Sequence, residues 1–251
     1  AAHTGVAMGG RGTDVAREAS SLVLLDDDFA SIVHAVHLGR RIYDNLRKAL
    51  AYILAIHVPI AGMSLLPVFF GWPLIFFPVH VAFLEFIIDP ACSIVFEAER
   101  AEPNAMRRPP RRPDEPLYTG WNVTLSLLQG VGVLALCIAV FGIALDRGLA
   151  EGAARALAFT TLVVGNIALI FANRSWQRTI FASLGSPNRF LWWISGGAML
   201  CLGLVLGVPW LRELFRFAPV GGADLVLAVL AGLAGIAWFE LFKLLHKPRA
   251  N

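Results

Sequence analysis

Six long apolar stretches, near residues 49–70, 74–97, 120–145, 153–173, 190–211 and 223–245, constrain what this chain can become more than any other feature. A helix needs about 20 mostly apolar residues to cross the hydrocarbon of a bilayer. Inside lipid every backbone N–H and C=O must be bonded within the spanning structure, so runs of this length become helices. The whole chain is 57% hydrophobic and 16% charged, with mean hydropathy +0.66, too apolar for an ordinary soluble domain. The expected fold class is therefore mainly α, a six-helix transmembrane bundle with a short α/β segment ahead of it.

An even number of spans puts both ends on one side, and the basic residues support that arrangement. Arg40, Arg41, Arg47 and Lys48 precede the first span, Arg100, Arg107, Arg108, Arg111 and Arg112 follow the second, and Arg174, Arg178 and Arg189 follow the fourth. Lys243, Lys247 and Arg249 close the chain, while the opposite connectors carry only Arg147, Arg155, Arg212 and Arg216. Cytoplasmic connectors are the ones enriched in Lys and Arg, so both termini are expected to be cytoplasmic. A net charge of +3, with the basic residues clustered between apolar stretches, gives no footprint for nucleic acid. Cys92, Cys137 and Cys201 fall inside apolar stretches without CxxC spacing and are expected to be reduced packing residues. The chain opens on no charged leader followed by a short apolar core, so insertion is expected to rely on the internal spans.

The first two spans are separated by only Gly71-Trp72-Pro73, which predicts a tight hairpin with Trp72 at the far interface. From Glu99 to Leu117 the chain is rich in Pro and Arg and is expected to form a stiff extended strap. No internal repeat is evident, which counts against a secondary transporter built from related halves.

Ionisable groups inside spans are costly, roughly 2.5–3.5 kcal/mol each on insertion scales, and usually face an interior pathway. Glu85 and Asp89, four residues apart in the second span, place two carboxylates on one helix face. Hard cations take oxygen ligands. Pro90 frees the carbonyl of Phe86 and Pro59 that of Ala55, so both prolines are expected to break their helices and expose further oxygens. His57, two residues before Pro59, is a candidate ligand, proton-coupled group or partner of Glu85, with a hydrogen-bonded packing role as the alternative. His80 is expected at the interface, as is Glu97, and Glu240 is expected to pair with Lys243 on a helix surface.

Residues 1–48 read as strand Gly5–Met8, a Gly-rich turn, a helix through Thr13–Ala19, strand Leu22–Leu25 and an acidic turn, Asp26-Asp27-Asp28, that caps a long helix from Phe29 into the first span. So short an α/β unit cannot enclose a core of its own. The run Gly9-Gly10-Arg11-Gly12 lacks both Gly-Lys-Ser/Thr and a complete GxGxxG, which favours a tight turn over a phosphate cradle.

The ordered series Gly5-Val6-Ala7-Met8-Gly9-Gly10-Arg11-Gly12-Thr13-Asp14-Val15-Ala16-Arg17-Glu18-Ala19, then Leu22–Phe29, closely resembles the end of the phosphorylation domain of P-type cation-transporting ATPases, and Gly39-Arg40-Arg41-Ile42-Tyr43-Asp44-Asn45 resembles their stalk helix. Six following spans, the first pair a hairpin, resemble the calcium-pump and proton-pump branches. That resemblance implies that residues 1–40 are the tail of a haloacid-dehalogenase-like cytoplasmic phosphorylation domain. Residues 41–98 would be the stalk and the hairpin carrying the ion site, 99–118 a cytoplasmic Pro/Arg-rich loop, and 119–251 a four-helix C-terminal membrane domain.

It also implies ATP and Mg2+ as cofactors of the whole protein, bound by parts carrying DKTGT, TGES and TGDGxND, none of which occurs in this sequence. No cofactor and no ATP hydrolysis are expected of this segment alone. The implied partners are a transported cation, the lipid bilayer and the actuator, nucleotide-binding and phosphorylation domains. The implied setting is the plasma (inner) membrane of a bacterium. Calcium-type pumps carry an Asn and a Glu where this chain has His57 and Ile60, and Asn-x-x-Thr-Asp where it has Glu85-Phe86-Ile87-Ile88-Asp89, so calcium specificity does not carry over. Asn166 matches a further site position of those pumps, with an amide bonding between helices as the alternative. Competing readings are a self-standing six-span channel or secondary transporter, and a membrane scaffold bound to a pump.

Overall fold

A computed structural model describes residues 4–112, 116–175, 179–180, 185 and 187–245. Arg178, Lys247, Arg249 and the side chain of Cys92 lie outside the described residues. The chain divides into two units, one of residues up to Asp44 with Ala101–Arg111, the other of Asn45–Arg100 with the chain from Arg112 onward.

In the first unit β1 (Val6–Met8) and β2 (Leu22–Leu24) form a parallel pair with Val6 opposite Leu22, connected by α1 (Asp14–Ala19). Thr13 starts α1 by accepting the Ala16 N–H on its hydroxyl oxygen at 3.2 Å. The Gly run between β1 and α1 is a turn with no room for side chains: a Cβ on Gly12 would lie 2.2 Å from the Met8 carbonyl oxygen, and one on Gly9 2.8 Å from that of Leu24. Its N–H donors are already engaged, Gly10 to Asp27 Oδ1 at 2.9 Å and Arg11 to Asp27 Oδ2 at 3.0 Å. A carboxylate of the chain thus sits where a phosphate cradle would hold its anion.

The acidic turn then starts α2 (Ala30–Phe70), with Asp28 Oδ1 accepting the Ala30 N–H at 2.8 Å. In the same unit Glu102–Arg108 coil through successive turns where an extended strap is expected. Arg40 explains the difference by donating to the carbonyls of Ala105 (2.6 Å) and Arg108 (2.7 Å), and Arg108 pairs with Asp44.

The second unit contains the rest of α2, then α3 (Pro78–Pro90), a π-helical segment (Ala91–Val95), α4 (Gly120–Asp146), α5 (Glu151–Asn173), α6 (Arg189–Gly207), the short α7 (Pro209–Leu214), α8 (Gly222–Ala234) and α9 (Ala237–Leu245). Among the described residues six helices are long and apolar enough to cross a membrane, α3 with the π segment and α8 with α9 each counting as one. Helix α5 is the axis of the bundle, with 89% of its most apolar window buried against α4, α6 and α8.

Small residues allow that approach. A Cβ on Gly232 of α8 would lie 2.7 Å from the Thr161 carbonyl oxygen of α5, and one on Gly130 of α4 would lie 2.3 Å from that of Ala55 in α2. The Ala55 carbonyl is the one Pro59 leaves without its helical donor, and α2 continues through Pro59, where a break is expected, and on through Pro67.

The hairpin between the first two spans is longer than expected. Helix α2 ends at Phe70, Gly71 takes φ 64°, and the Trp72 N–H closes the helix on the Pro67 carbonyl at 2.8 Å. An extended stretch then runs to Pro78. Trp72 is half-buried and packs between Phe70 and Phe141, ring centroids 5.3 and 5.7 Å away.

His80 also departs from the interfacial expectation: it is fully buried among Phe77, Phe159, Phe215 and Phe217, at centroid distances of 5.9, 5.1, 5.3 and 5.2 Å. Its Nδ1 accepts the Phe77 N–H at 3.0 Å, which holds it inside the cage. Cys137 is buried as expected, but Cys201 is exposed.

Candidate cation site

Helix α3 is sorted into two faces. Leu84, Ile87 and Ile88 turn into the bundle, whereas Val81, Ala82, Glu85, Phe86 and Asp89 form one exposed stripe, Phe86 being 82% exposed. Glu85 and Asp89 therefore share a face one turn apart. Neither carboxylate has a hydrogen-bond or ion-pair partner among the described residues. Both sit on regular α-helix, not on an unwound segment.

The departure from α geometry follows Pro90. A proline has no N–H to give and its ring crowds the preceding turn, and the helix accommodates it by inserting a residue. The Phe96 N–H reaches back five residues to the Ala91 carbonyl at 3.3 Å.

His57 lies on an exposed stripe of α2 with Ala61, Ser64, Leu65 and Val68. Its Nδ1 is 2.8 Å from the Ile53 carbonyl oxygen. A carbonyl only accepts, so Nδ1 is the donor of this bond and Nε2 is the ring nitrogen turned away from it. Asn166 lies inside α5, fully buried, and neither polar atom of its amide has a hydrogen-bond partner among the described residues. Among the described residues no three His, Cys, Asp or Glu side chains gather in an arrangement that would hold a metal ion. A groove of about 470 Å³ between α3 and α6 is lined by Phe83, Phe86, Ile87, Ala198, Leu204 and Phe215 among others, with the Cys201 thiol opening onto it and no Asp, Glu, Lys, Arg or His among its lining residues.

The family described as "Cation transporting ATPase, C-terminus" matches residues 73–245, from the hairpin to the last described helix. The chain belongs to the P-type cation-transporting ATPases. It is 30% identical over 250 residues to calcium-transporting ATPase lmo0841 of Listeria monocytogenes, covering 98% of this chain and 28% of that protein. It is 32% identical over 244 residues to a calcium-transporting ATPase of Bacillus subtilis, covering 96% and 27%. To probable cation-transporting ATPase F of Mycobacterium tuberculosis it is 33% identical over 221 residues, covering 87% and 24%. The alignment thus falls in the calcium-ATPase branch, and the chain spans about a quarter of the length of these relatives.

Several buried polar groups of this cation-transporting ATPase segment look like ordinary connector charges in the sequence. Glu99 and Arg174, read as connector charges, are 5% and 2% exposed and form a bidentate pair, Nε to Oε2 at 2.8 Å and Nη2 to Oε1 at 2.9 Å. Lys243 does pair with Glu240 at 2.8 Å, but it is buried and also donates to the Ala172 carbonyl, so the pair is not on a helix surface. Arg155 is buried and donates to the carbonyls of Leu74 and Arg216. No local signal separates such residues from ordinary span-end charges, because their partners lie 60 or more positions away for Arg174 and Arg155.

Proposed function

We propose that this chain is the membrane part of an ATP-driven cation pump in which Glu85 and Asp89 supply the carboxylate ligands of the transported cation. The observation that carries this reading is the pair of unpartnered carboxylates one turn apart on α3, immediately ahead of the helix irregularity at Pro90. Left against lipid, each would cost about 2.5–3.5 kcal/mol on insertion scales. That cost argues for a cover over the stripe, supplied by parts of the whole protein outside this chain. His57, through Nε2, is the proposed neutral ligand, and the altered helix around Pro90 supplies carbonyl oxygen; Asn166, fully buried inside α5 while the two carboxylates face outward, is left out of this set.

The remainder of the protein, matching the longer relatives, would contain the actuator, nucleotide-binding and phosphorylation domains and would use ATP and Mg2+. A bacterial plasma membrane with both termini cytoplasmic completes the reading.

The test is ATP hydrolysis by the full-length protein under titrations of Ca2+, Mn2+, Na+, K+ and protons. Glu85→Gln and Asp89→Asn are expected to raise the half-saturating concentration of the stimulating cation at least tenfold, of the order of 1.4 kcal/mol of lost binding. Unchanged values in both variants overturn the site.

A further inference from the structure

The second span leaves the bundle through a set of contacts that the ion ligands do not account for. Beyond the π-helical segment, the Glu99 carboxylate meets Arg174 from the end of α5 and the Asn188 Nδ2 at 3.0 Å. Asn188 does two further things at once. Its Oδ1 accepts the Leu191 N–H at 3.3 Å, starting α6, and its Nδ2 also donates to the Val95 carbonyl, the last of the π segment, at 3.0 Å. From α2, Asn45 Nδ2 donates to the Glu99 carbonyl at 2.8 Å. All four side-chain-bearing residues are buried: Asn45 at 5%, Glu99 at 5%, Arg174 at 2% and Asn188 at 4% exposure.

Three other helices thus grip this helix within one turn of its irregular segment. A π insertion adds one residue to a turn, and one residue is about 100° of rotation at 3.6 residues per turn. Whether the segment is wound as π or as α therefore decides which way the Glu85 and Asp89 face points relative to the anchored end. The hydrogen bond from Asn188 holds the carbonyl of Val95, the last residue of the π segment, and the Glu99–Arg174 pair fixes the chain four residues further on.

We infer that Glu99, Arg174 and Asn188 are positioning residues that hold the π-helical register after Pro90 and thereby set the rotation of the Glu85–Asp89 face. The inference rests on the cation-site reading above. It assigns to a buried ion pair, at the end of the span, control over affinity at a site 10 to 14 residues earlier in the sequence.

Asn188→Ser in the full-length protein tests this with the least disturbance, because a serine hydroxyl still caps α6 but is too short to grip Val95 and Glu99. The half-saturating concentration of whichever of Ca2+, Mn2+, Na+ or K+ stimulates the parent protein is expected to rise about five- to tenfold, with the maximal rate within about twofold. Hydrogen exchange is expected to quicken at residues 91–99 and to stay unchanged in α4 and α5. Arg174→Lys, which keeps the charge but loses the bidentate geometry, is expected to shift the same parameter in the same direction, and it replaces the serine variant if that protein does not fold. Unaltered cation dependence in the folded variant, with or without faster exchange, overturns the positioning role. If Glu85→Gln and Asp89→Asn also leave the cation dependence unaltered, the site itself has failed. If they shift it and the clamp variants do not, only the clamp has failed.

Discussion

The buried pair of Glu99 and Arg174 offers a sharp energetic test. With side chains 7% and 1% exposed and two parallel N–H to oxygen contacts, removal of one partner takes a bidentate counter-charge from a group that stays buried. Breaking a buried pair in this way costs about 3–5 kcal/mol, whereas replacing both partners by apolar side chains of similar volume is often neutral or stabilising. Glu99→Met and Arg174→Met should therefore each destabilise the chain by about 3–5 kcal/mol.

Were the sites independent, the double variant would lose about 6–10 kcal/mol. It is expected instead to lose less than about 3 kcal/mol, a coupling of several kcal/mol opposite in sign to the single losses. The residual loss reflects Asn188, whose Nδ2 keeps only the Val95 carbonyl once Glu99 is gone. Denaturant unfolding in detergent micelles, followed by tryptophan fluorescence, reads all four proteins. Trp192, stacked edge-on against Phe171 at 5.7 Å one turn from Asn188, reports on this end of the bundle. A double variant as unstable as the sum of the two singles would refute the reasoning, since the two side chains would then contribute separately.

Three further outcomes are expected. Gly130→Ala places a Cβ 2.3 Å from the Ala55 carbonyl oxygen and 2.6 Å from Val58 Cβ, an overpacking worth about 1–3 kcal/mol in thermal or denaturant unfolding; Gly39→Ala, whose Cβ meets nothing within 4 Å, should be neutral to stabilising by about 1 kcal/mol. Burial pushes the Tyr118 phenol up to about 12, against the opposing effects of the Ser126 hydrogen bond and the Arg47 charge. A raised folded pKa means that the neutral phenol favours the fold below pH 10 and that this contribution disappears as pH rises through 12. The difference between the absorbance titrations of the parent and of Tyr118→Phe near 295 nm should isolate a tyrosine that ionises late. Asp27→Ala removes the acceptor of the Gly10 and Arg11 N–H groups and puts alanine at φ 55°, so exchange at those two amides should accelerate about tenfold, while Asp27→Asn has a smaller effect.

Much of the architecture is legible in the sequence because bilayer thickness and backbone hydrogen bonding are local constraints. A window of about 20 apolar residues is enough to specify a span, and the six apolar runs agree with the observed helices to within a few residues except at α6, which Pro209 cuts short; α2 runs from Ala30 into the first span, as the acidic turn before Phe29 predicts. The βαβ head is equally local, since Thr13 and Asp28 cap helices with their own side chains and the glycines allow a turn no other residue fits. Glu85 and Asp89 share a face by helical periodicity alone.

Tertiary structure decided the rest. Proline is a local signal for lost hydrogen bonds, but whether a helix breaks, continues or widens depends on what surrounds the freed carbonyl. Helix α2 continues where Gly130 packs against Ala55, and α3 widens where Asn188 reaches Val95. A charge at the end of an apolar run reads the same whether it faces water or a partner. Glu99 and Arg174, 75 positions apart, became a buried pair only when α3, α5 and α6 converged. His80 likewise looks interfacial until phenylalanines from three segments close around it. Apolar length is written in consecutive residues, whereas the pairing of buried polar groups is set by which helices meet, and that is fixed by packing.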